Sequence, residues 1–571
     1  MKTISQTMAF KAVIFDIGGV LIESPIKYLM EFATKHGLPP TFMLDEMRKG
    51  APNNAMCQCE RGQLAVSQLV EELHKGATES AKKQNLSIPS AFSVTEMMKG
   101  LLCDLRPQRE MFNAAINLKN NGFKIGVVTN DFTVDLPTMN SPPEYFRSLN
   151  IIFDDLVESC RTGLRKPEPE IYDLACKRLG VAPQETIFVD DLGGNLKGAN
   201  SLGITTVLFK DAESTLKKLQ ELTGVDVYQE ADPISVDPDR VSHGLVTTKE
   251  GVQLHFVEMG EGPAIILCHG FPESWYSWRK QIPALAMAGY RVIALDQRGY
   301  GDSSSPPDIK AYSHDHLCKD VIAVMDSLNI PMATFIGHDW GGAIVWKLAI
   351  GYPERTRGVV GVNTPYFPPN PNANPLEQMH KKPGVFDYQL YFQTPGVAEA
   401  ELESNLEKLF KYFFRAPTRQ DYFPGREKLG VHNVRERGGL LAGVPDDLTM
   451  PSLITEKELA FYVKEFKKSG FRGPLNWYRN IEENWRNSLK FAGRKIYAPA
   501  LMVTAEKDLV LTPASSRFME PWVPNLSRLH IKNCGHWTQI ERPKELNDGL
   551  LNWLNDLHGK ETSIKSLDAK L

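Results

Sequence analysis

Ala333-Thr334-Phe335-Ile336-Gly337-His338-Asp339-Trp340-Gly341-Gly342 reads as a short strand turning sharply into a helix. The turn carries aspartate where a serine hydrolase would carry its nucleophile. The first residues are β-prone, and beyond the paired glycines an apolar pattern (Ile344, Val345, Trp346, Leu348, Ala349, Ile350) continues as a buried helix. Glycine at 337, 341 and 342 lets the backbone turn tightly and the helix approach the sheet. A serine nucleophile forms an acyl-enzyme, whereas a carboxylate attacking an sp³ carbon forms an alkyl ester that water must then cleave. The substrate expected is therefore an alkylating agent, an epoxide or an alkyl halide. A bare Gly-x-Asp-x-Gly is common among ordinary turns, so the residues around it decide the reading.

Working outward, strand candidates 264–268, 291–295, 333–336, 358–362 and 500–503 alternate with helical stretches, as in a mostly parallel sheet beginning near Gly244. The region from about Pro365 to Gly493 breaks the alternation. Its aromatic, helical patterning predicts a lid inserted over the site. The first part of the chain, about Phe10 to Thr223, has its own strand candidates: 12–15 leading into Asp16, 125–129, and 186–189. A helical insertion of about 26–103 separates the first two, which predicts a second α/β unit with a cap. Residues 224–243, with Asp232-Pro233 and Asp237-Pro238, are the linker candidate, since each proline pushes its predecessor into an extended conformation. The expected division is thus 1–223, linker 224–243, 244–560, and a tail 561–571.

Composition bounds the function. The 571 residues are 42% apolar and 23% charged, enough for more than one core. A formal net charge of −4 gives no basic footprint and argues against nucleic acid. No apolar run approaches the roughly 18 residues that span a bilayer, and Met1–Phe10 lacks a secretory pattern. The eight cysteines are scattered, and the Cys57, Cys59 spacing fits neither zinc nor a redox pair, so free thiols in a reducing compartment are expected. The ending Ala569-Lys570-Leu571 is similar to the Ser-Lys-Leu peroxisomal address, which sets peroxisome beside cytoplasm as the expected location.

His269-Gly270-Phe271-Pro272, the turn at Asp339, Asp508 in Val503-Thr504-Ala505-Glu506-Lys507-Asp508, and His536 in Cys534-Gly535-His536-Trp537 together resemble the epoxide hydrolases of α/β-hydrolase fold. Tyr388 in Phe386-Asp387-Tyr388-Gln389 and Tyr478 in Asn476-Trp477-Tyr478-Arg479 extend the resemblance to the soluble epoxide hydrolases of vertebrates. That resemblance implies that Asp339 opens the oxirane while the two lid phenols stabilise the alkoxide. His536, oriented by Asp508, then activates water, and the N–H groups of Phe271 and Trp340 bind the oxyanion. Glu506 is the competitor for the orienting acid. The implied substrate is a lipid epoxide, no cofactor is implied for this step, and dehalogenation of haloalkanes or haloacids at Asp339 is the alternative.

In the first unit, Asp16, Thr129-Asn130, Lys166-Pro167 and Asp190-Asp191 occur in the order found in the haloacid dehalogenase superfamily of Rossmann-like folds. The resemblance implies a nucleophilic Asp16, phosphate held by Thr129, Asn130 and Lys166, and Mg²⁺ held by Asp16, Asp191 and the backbone of Gly18, with Asp190 in reserve. A lipid phosphate is the implied substrate and a homodimer the implied assembly. The chain departs from the pattern at Asp16-Ile17-Gly18, where glycine replaces the usual general acid; loss of such an acid costs roughly 10²- to 10⁴-fold. A purely structural, dimer-forming domain is the alternative.

Overall fold

A computed structural model describes residues 10–136 and 144–568, so the carboxyl-terminal tripeptide lies outside the described residues. The chain divides into two compact units, Met1–Ile234 and Ser235–Leu571.

The first unit is built on five parallel strands: β1 (Ala12–Phe15), β2 (Lys124–Thr129), β3 (Asp155–Glu158), β4 (Thr186–Asp190) and β5 (Thr205–Leu208). Their spatial order is β3-β2-β1-β4-β5. Every residue of β1 is buried, as expected of a central strand covered on both faces. The carboxyl ends of β1, β2 and β4 deliver Asp16, Thr129 and Asp190 to one edge of the sheet, where ligands bind in such folds. Helices from Pro25 to Lys99, closed by a wide turn over Gly100–Asp104, form the inserted cap.

The second unit contains β6 (Ser242–Thr247), β7 (Gln253–Met259), β8 (Ala264–Cys268), β9 (Arg291–Leu295), β10 (Ala333–His338), β11 (Thr356–Val362), β12 (Ala500–Ala505) and β13 (Leu526–Ile531). They form one sheet in the order β13-β12-β11-β10-β8-β9-β7-β6, parallel except where β7 meets β6 and β9. Helices between Pro375 and Phe491 fill the interval before β12 and make the lid. No helix among the described residues is long and apolar enough to cross a membrane, and the seven cysteines described are free thiols.

The boundary between the two units, Ile234 to Ser235, falls within the linker candidate 224–243. The Gln229 carbonyl accepts from the amides of Asn113 and Asn117, and the Asp232 carbonyl accepts from Asn120, which tie its first half to the first unit. Further on, Val236 N–H donates to the Arg279 carbonyl, and β6 starts at Ser242, ahead of the expected boundary. Extended, proline-directed backbone exposes amides and carbonyls, and these are satisfied by whichever unit lies alongside.

Packing is tight at the turn after β10. A Cβ on Gly341 would overlap the carbonyls of Cys268 and His269, so the helix Trp340–Gly351 touches the β8 backbone directly. Gly341→Ala should destabilise the second unit by about 3 kcal/mol. Gly351→Ala, whose Cβ would meet only Phe491 at an ordinary 3.6 Å, should leave stability within about 1 kcal/mol of wild type. Thermal denaturation of both variants checks the contrast; equal losses would contradict it.

Candidate active sites

Asp339 adopts φ 49° and ψ −120°, a conformation a residue with a Cβ rarely takes. The turn projects its carboxylate off the end of β10. Phe271 N–H donates to Oδ1 at 2.9 Å, and Thr364 Oγ1 donates to the Asp339 carbonyl at 2.7 Å. Trp340 is the first residue of the following helix, so its N–H is among the amides that a helix start leaves without an intrahelical partner.

His536 follows β13. Its Nε2 lies 3.9 Å from Asp339 Oδ2 and its Nδ1 2.8 Å from Asp508 Oδ2. The acid that reaches it is Asp508; Glu506 instead accepts from the backbone of Asn533. Asp508 accepts from Val510 N–H, Leu511 N–H and Asn363 Nδ2. Burial alone would push Asp508 up, yet the His536 charge and these donors hold it far below the usual carboxylate range. Burial likewise opposes charge on His536, but Asp508, its hydrogen bond and then Asp339 outweigh it and push the imidazole up to about 9. Asp508 and Asp339 thus both favour the charged form of the imidazole.

The lid sets Tyr388 and Tyr478 above this group. Their rings are 5.9 Å apart, and Tyr478 packs edge-on to Phe271 at 5.2 Å and to Trp340 at 5.0 Å. Burial raises both phenols well above their ordinary value, and the Asp339 charge raises them further. Both are thus neutral donors within the field of the nucleophile. Gln389 Nε2 donates to the Tyr388 oxygen at 3.0 Å. A cavity of about 1000 Å³ opens from Asp339, Trp340 and Tyr388 through a largely apolar wall of lid and core residues.

Sequence reasoning missed the support beneath the base. Buried Glu273 lies 2.9 Å from His338 Nδ1 and accepts from Gly270 N–H and Gln539. His338 Nε2 is 2.8 Å from the His536 carbonyl, which Asn363 Nδ2 also contacts. Burial would raise Glu273, but His338 holds it down at about 2. Glu273 is adjacent to the His269–Pro272 motif; Asn363, at φ 64°, carried no signal beyond following a strand.

In the first unit Lys166 is 2% exposed, and its Nζ bridges Asp16 Oδ1 at 2.7 Å and Asp190 Oδ2 at 2.8 Å. Asp190 also accepts from Asn195 and Leu192 N–H, so its oxygens are committed to holding the loop. Asp191 is partly exposed and clusters with Asp16 and Asp190 tightly enough to share a cation. Burial pushes Asp16 up to about 8 against the pull of Lys166, and burial with the Asp190 charge pushes Asp191 up to about 6. Three carboxylates face a single lysine, an excess of negative charge that suits a hard divalent cation. Asn130, expected to hold phosphate, uses its side chain on the Lys166 backbone, donating to its carbonyl and accepting its N–H. Thr129 is buried at the end of β2. A Cβ on Gly18 would stand 2.9 Å from Pro25 Cγ, so the cap helix closes over the place of the usual acid.

If Asp339 sustains the charge on His536, Asp339→Asn should lower the His536 pKa from about 9, since an anion that favoured the imidazolium is gone. Titration of the ring protons by NMR would show it; an unchanged midpoint would exclude coupling between the two.

Residues 263–543 match the α/β-hydrolase fold family, and residues 10–203 match the haloacid dehalogenase-like hydrolases. The chain is 48% identical to the bifunctional epoxide hydrolase 2 of Sus scrofa, across 96% of this chain and 98% of that one. It is 46% identical to that of Mus musculus, with the same coverage. A crystal structure of epoxide hydrolase A from Mycobacterium thermoresistibile matches with a TM-score of 0.50 and 38% identity, covering 55% of this chain and 98% of that one.

Proposed function

The chain belongs to the bifunctional epoxide hydrolase family, and on that premise we propose that its second unit converts epoxides to vicinal diols through an ester on Asp339. The observation that carries this reading is the pair of neutral phenols, Tyr388 and Tyr478, in the field of an aspartate held at a strained turn.

An Asp339 oxygen attacks a ring carbon, the carbon–oxygen bond of the oxirane breaks, and the alkoxide is met by the phenol hydrogens. Esterification removes the Asp339 charge, one of the groups that holds His536 protonated. The imidazolium then passes its proton to the alkoxide oxygen by way of the phenols or water, and the neutral imidazole becomes a base for water. Water attacks the ester carbonyl, and the oxyanion forms beside the N–H of Phe271, which in the resting site already donates to that carboxylate. Trp340 N–H is the second donor. Collapse releases the diol and restores Asp339. A dehalogenase site needs donors suited to halide, and paired phenols favour oxirane oxygen instead.

For the first unit we propose a Mg²⁺-dependent phosphomonoesterase, with lipid phosphates as the substrate class. Asp16 is the nucleophile, and Lys166 and Thr129 bind the phosphate. Asn130 holds Lys166 in place. Asp16, Asp191 and the Gly18 carbonyl would hold Mg²⁺, which supplies charge neutralisation when bound. With Gly18 in place of an acid, leaving groups that need no protonation are favoured. The cytoplasm, a peroxisomal destination through the final tripeptide, and a homodimer complete the proposal.

Asp339→Asn should abolish diol formation, and Phe at both 388 and 478 should lower alkylation by at least 10³-fold, the scale of losing oxyanion donors. Diol assays with a trans-stilbene-type epoxide test both, and full activity in either variant would contradict the mechanism. In the intact chain, phosphate release from an aryl phosphate should require Mg²⁺ and vanish in Asp16→Asn. Gly18→Asp should not accelerate it, because the new side chain collides with Pro25. Release that persists in Asp16→Asn would leave the first unit a structural domain.

A further inference from the structure

Two phenols can serve one epoxide oxygen only if their separation is fixed, and here they come from different lid helices. Tyr388 lies in Asp387–Tyr391, and Tyr478 ends Arg472–Tyr478. Helices of five and seven residues are too short to be held by propensity alone, so contacts between the two segments must set the spacing.

Those contacts converge on two side chains outside the catalytic group. Gln393 Nε2 has two hydrogens; one goes to the Gln389 carbonyl at 2.9 Å, in the Tyr388 helix, and the other to the Tyr478 carbonyl at 3.0 Å. Both partners can only accept, so the amide is fixed with its nitrogen between them. Arg479, the residue after Tyr478, uses all five of its N–H hydrogens. Nε donates to the Phe392 carbonyl at 3.0 Å. Nη1 donates to Glu399 Oε1 at 2.7 Å and Asn476 Oδ1 at 2.9 Å, and Nη2 to Glu399 Oε2 at 3.0 Å and the Thr394 carbonyl at 3.4 Å. Glu399 is itself fixed by Gly396 N–H at 2.8 Å. Phe392, whose backbone Arg479 holds, packs its ring 5.6 Å from Tyr388 and 5.0 Å from Tyr478.

The Arg479 side chain is 3% exposed. A buried ion pair adds little net stability over apolar side chains of similar volume, whereas a saturated guanidinium fork fixes geometry in a way that neither an apolar pair nor a lysine reproduces. Tyr388 and Gln389 line the cavity, but neither Gln393 nor Arg479 is among its lining residues. We propose that Gln393 and Arg479 are positioning residues: they staple the Tyr388 segment to the Tyr478 helix and set the distance at which both phenols meet one epoxide oxygen, an inference that rests on the epoxide hydrolase reading. The staple acts on ring opening, the step in which the phenols donate. Ester hydrolysis draws on His536, Asp508 and the N–H of Phe271 and does not depend on it.

Single turnover of the full chain with a trans-stilbene-type epoxide, quenched in acid and followed by the mass of the Asp339 peptide, separates ester formation from ester decay. Gln393→Leu removes both hydrogens at similar volume, and Arg479→Lys keeps the charge while losing the fork. Each should slow ester formation by about tenfold or more, with decay within about twofold of wild type, since a misplacement of roughly 1 Å costs up to about 10²-fold. The loss should also depend on having two phenols to align, so in a Tyr388→Phe background Gln393→Leu should cost less than about threefold further. Gln393→Leu, at a partly exposed site, supplies the reading if Arg479→Lys folds poorly. Wild-type ester formation in Gln393→Leu or in a folded Arg479→Lys, equal slowing of both steps, or losses that multiply in the double variant would overturn the staple and leave the chemistry at Asp339 intact. A wild-type chain that forms no ester would overturn the epoxide reading itself, and the staple with it.

Discussion

The second unit depends on one backbone constraint, the positive φ of Asp339. A residue with a Cβ holds that conformation only where its surroundings over-determine it. Here the Gly341 contact with the β8 carbonyls locks the helix against the sheet, and the Thr364 hydroxyl fixes the Asp339 carbonyl. The result is a carboxylate aimed out of the core and already facing the Phe271 N–H. Little reorganisation is needed when charge develops, which is how preorganised donors accelerate acyl chemistry.

The same constraint organises the charges. Asp339, His536 and Asp508 form a chain in which the outer acid is held ionised by three donors and the inner acid changes charge during turnover. In the proposed mechanism, esterification of Asp339 lowers the proton affinity of His536. The first unit uses aspartate after a strand to a different end. Asp16 lies among carboxylates bridged by Lys166, an environment suited to phosphate and a cation and unsuited to an oxirane, which lacks charge to be recognised.

Much of this was legible in the sequence where the determinants are local. Asp339, Asp508 and His536 each sit in a short motif at a strand end, and both inserted helical regions announced themselves by interrupting strand alternation. What escaped depends on contacts between distant segments. The bonding of the Asn130 side chain to the Lys166 backbone is one example. The contact that a side chain at Gly18 would make with Pro25 is a matter of where the cap begins. Lys347 lies in a run otherwise read as buried and apolar, and its pairing with Asp315 exists only in the folded chain. How the linker candidate is held was not legible for a similar reason, since extended backbone docks wherever partners happen to lie.

A covalent ester on Asp339 is the central claim, and a single turnover in water labelled with heavy oxygen tests it most directly. Attack of labelled water on the ester carbonyl leaves the label in the Asp339 carboxylate, while the diol departs with an oxygen that began in the protein. Mass spectrometry should find heavy oxygen in the peptide containing Asp339 and none in the first equivalent of diol. Label in that first diol, with Asp339 unlabelled, would mean that water attacks the oxirane itself.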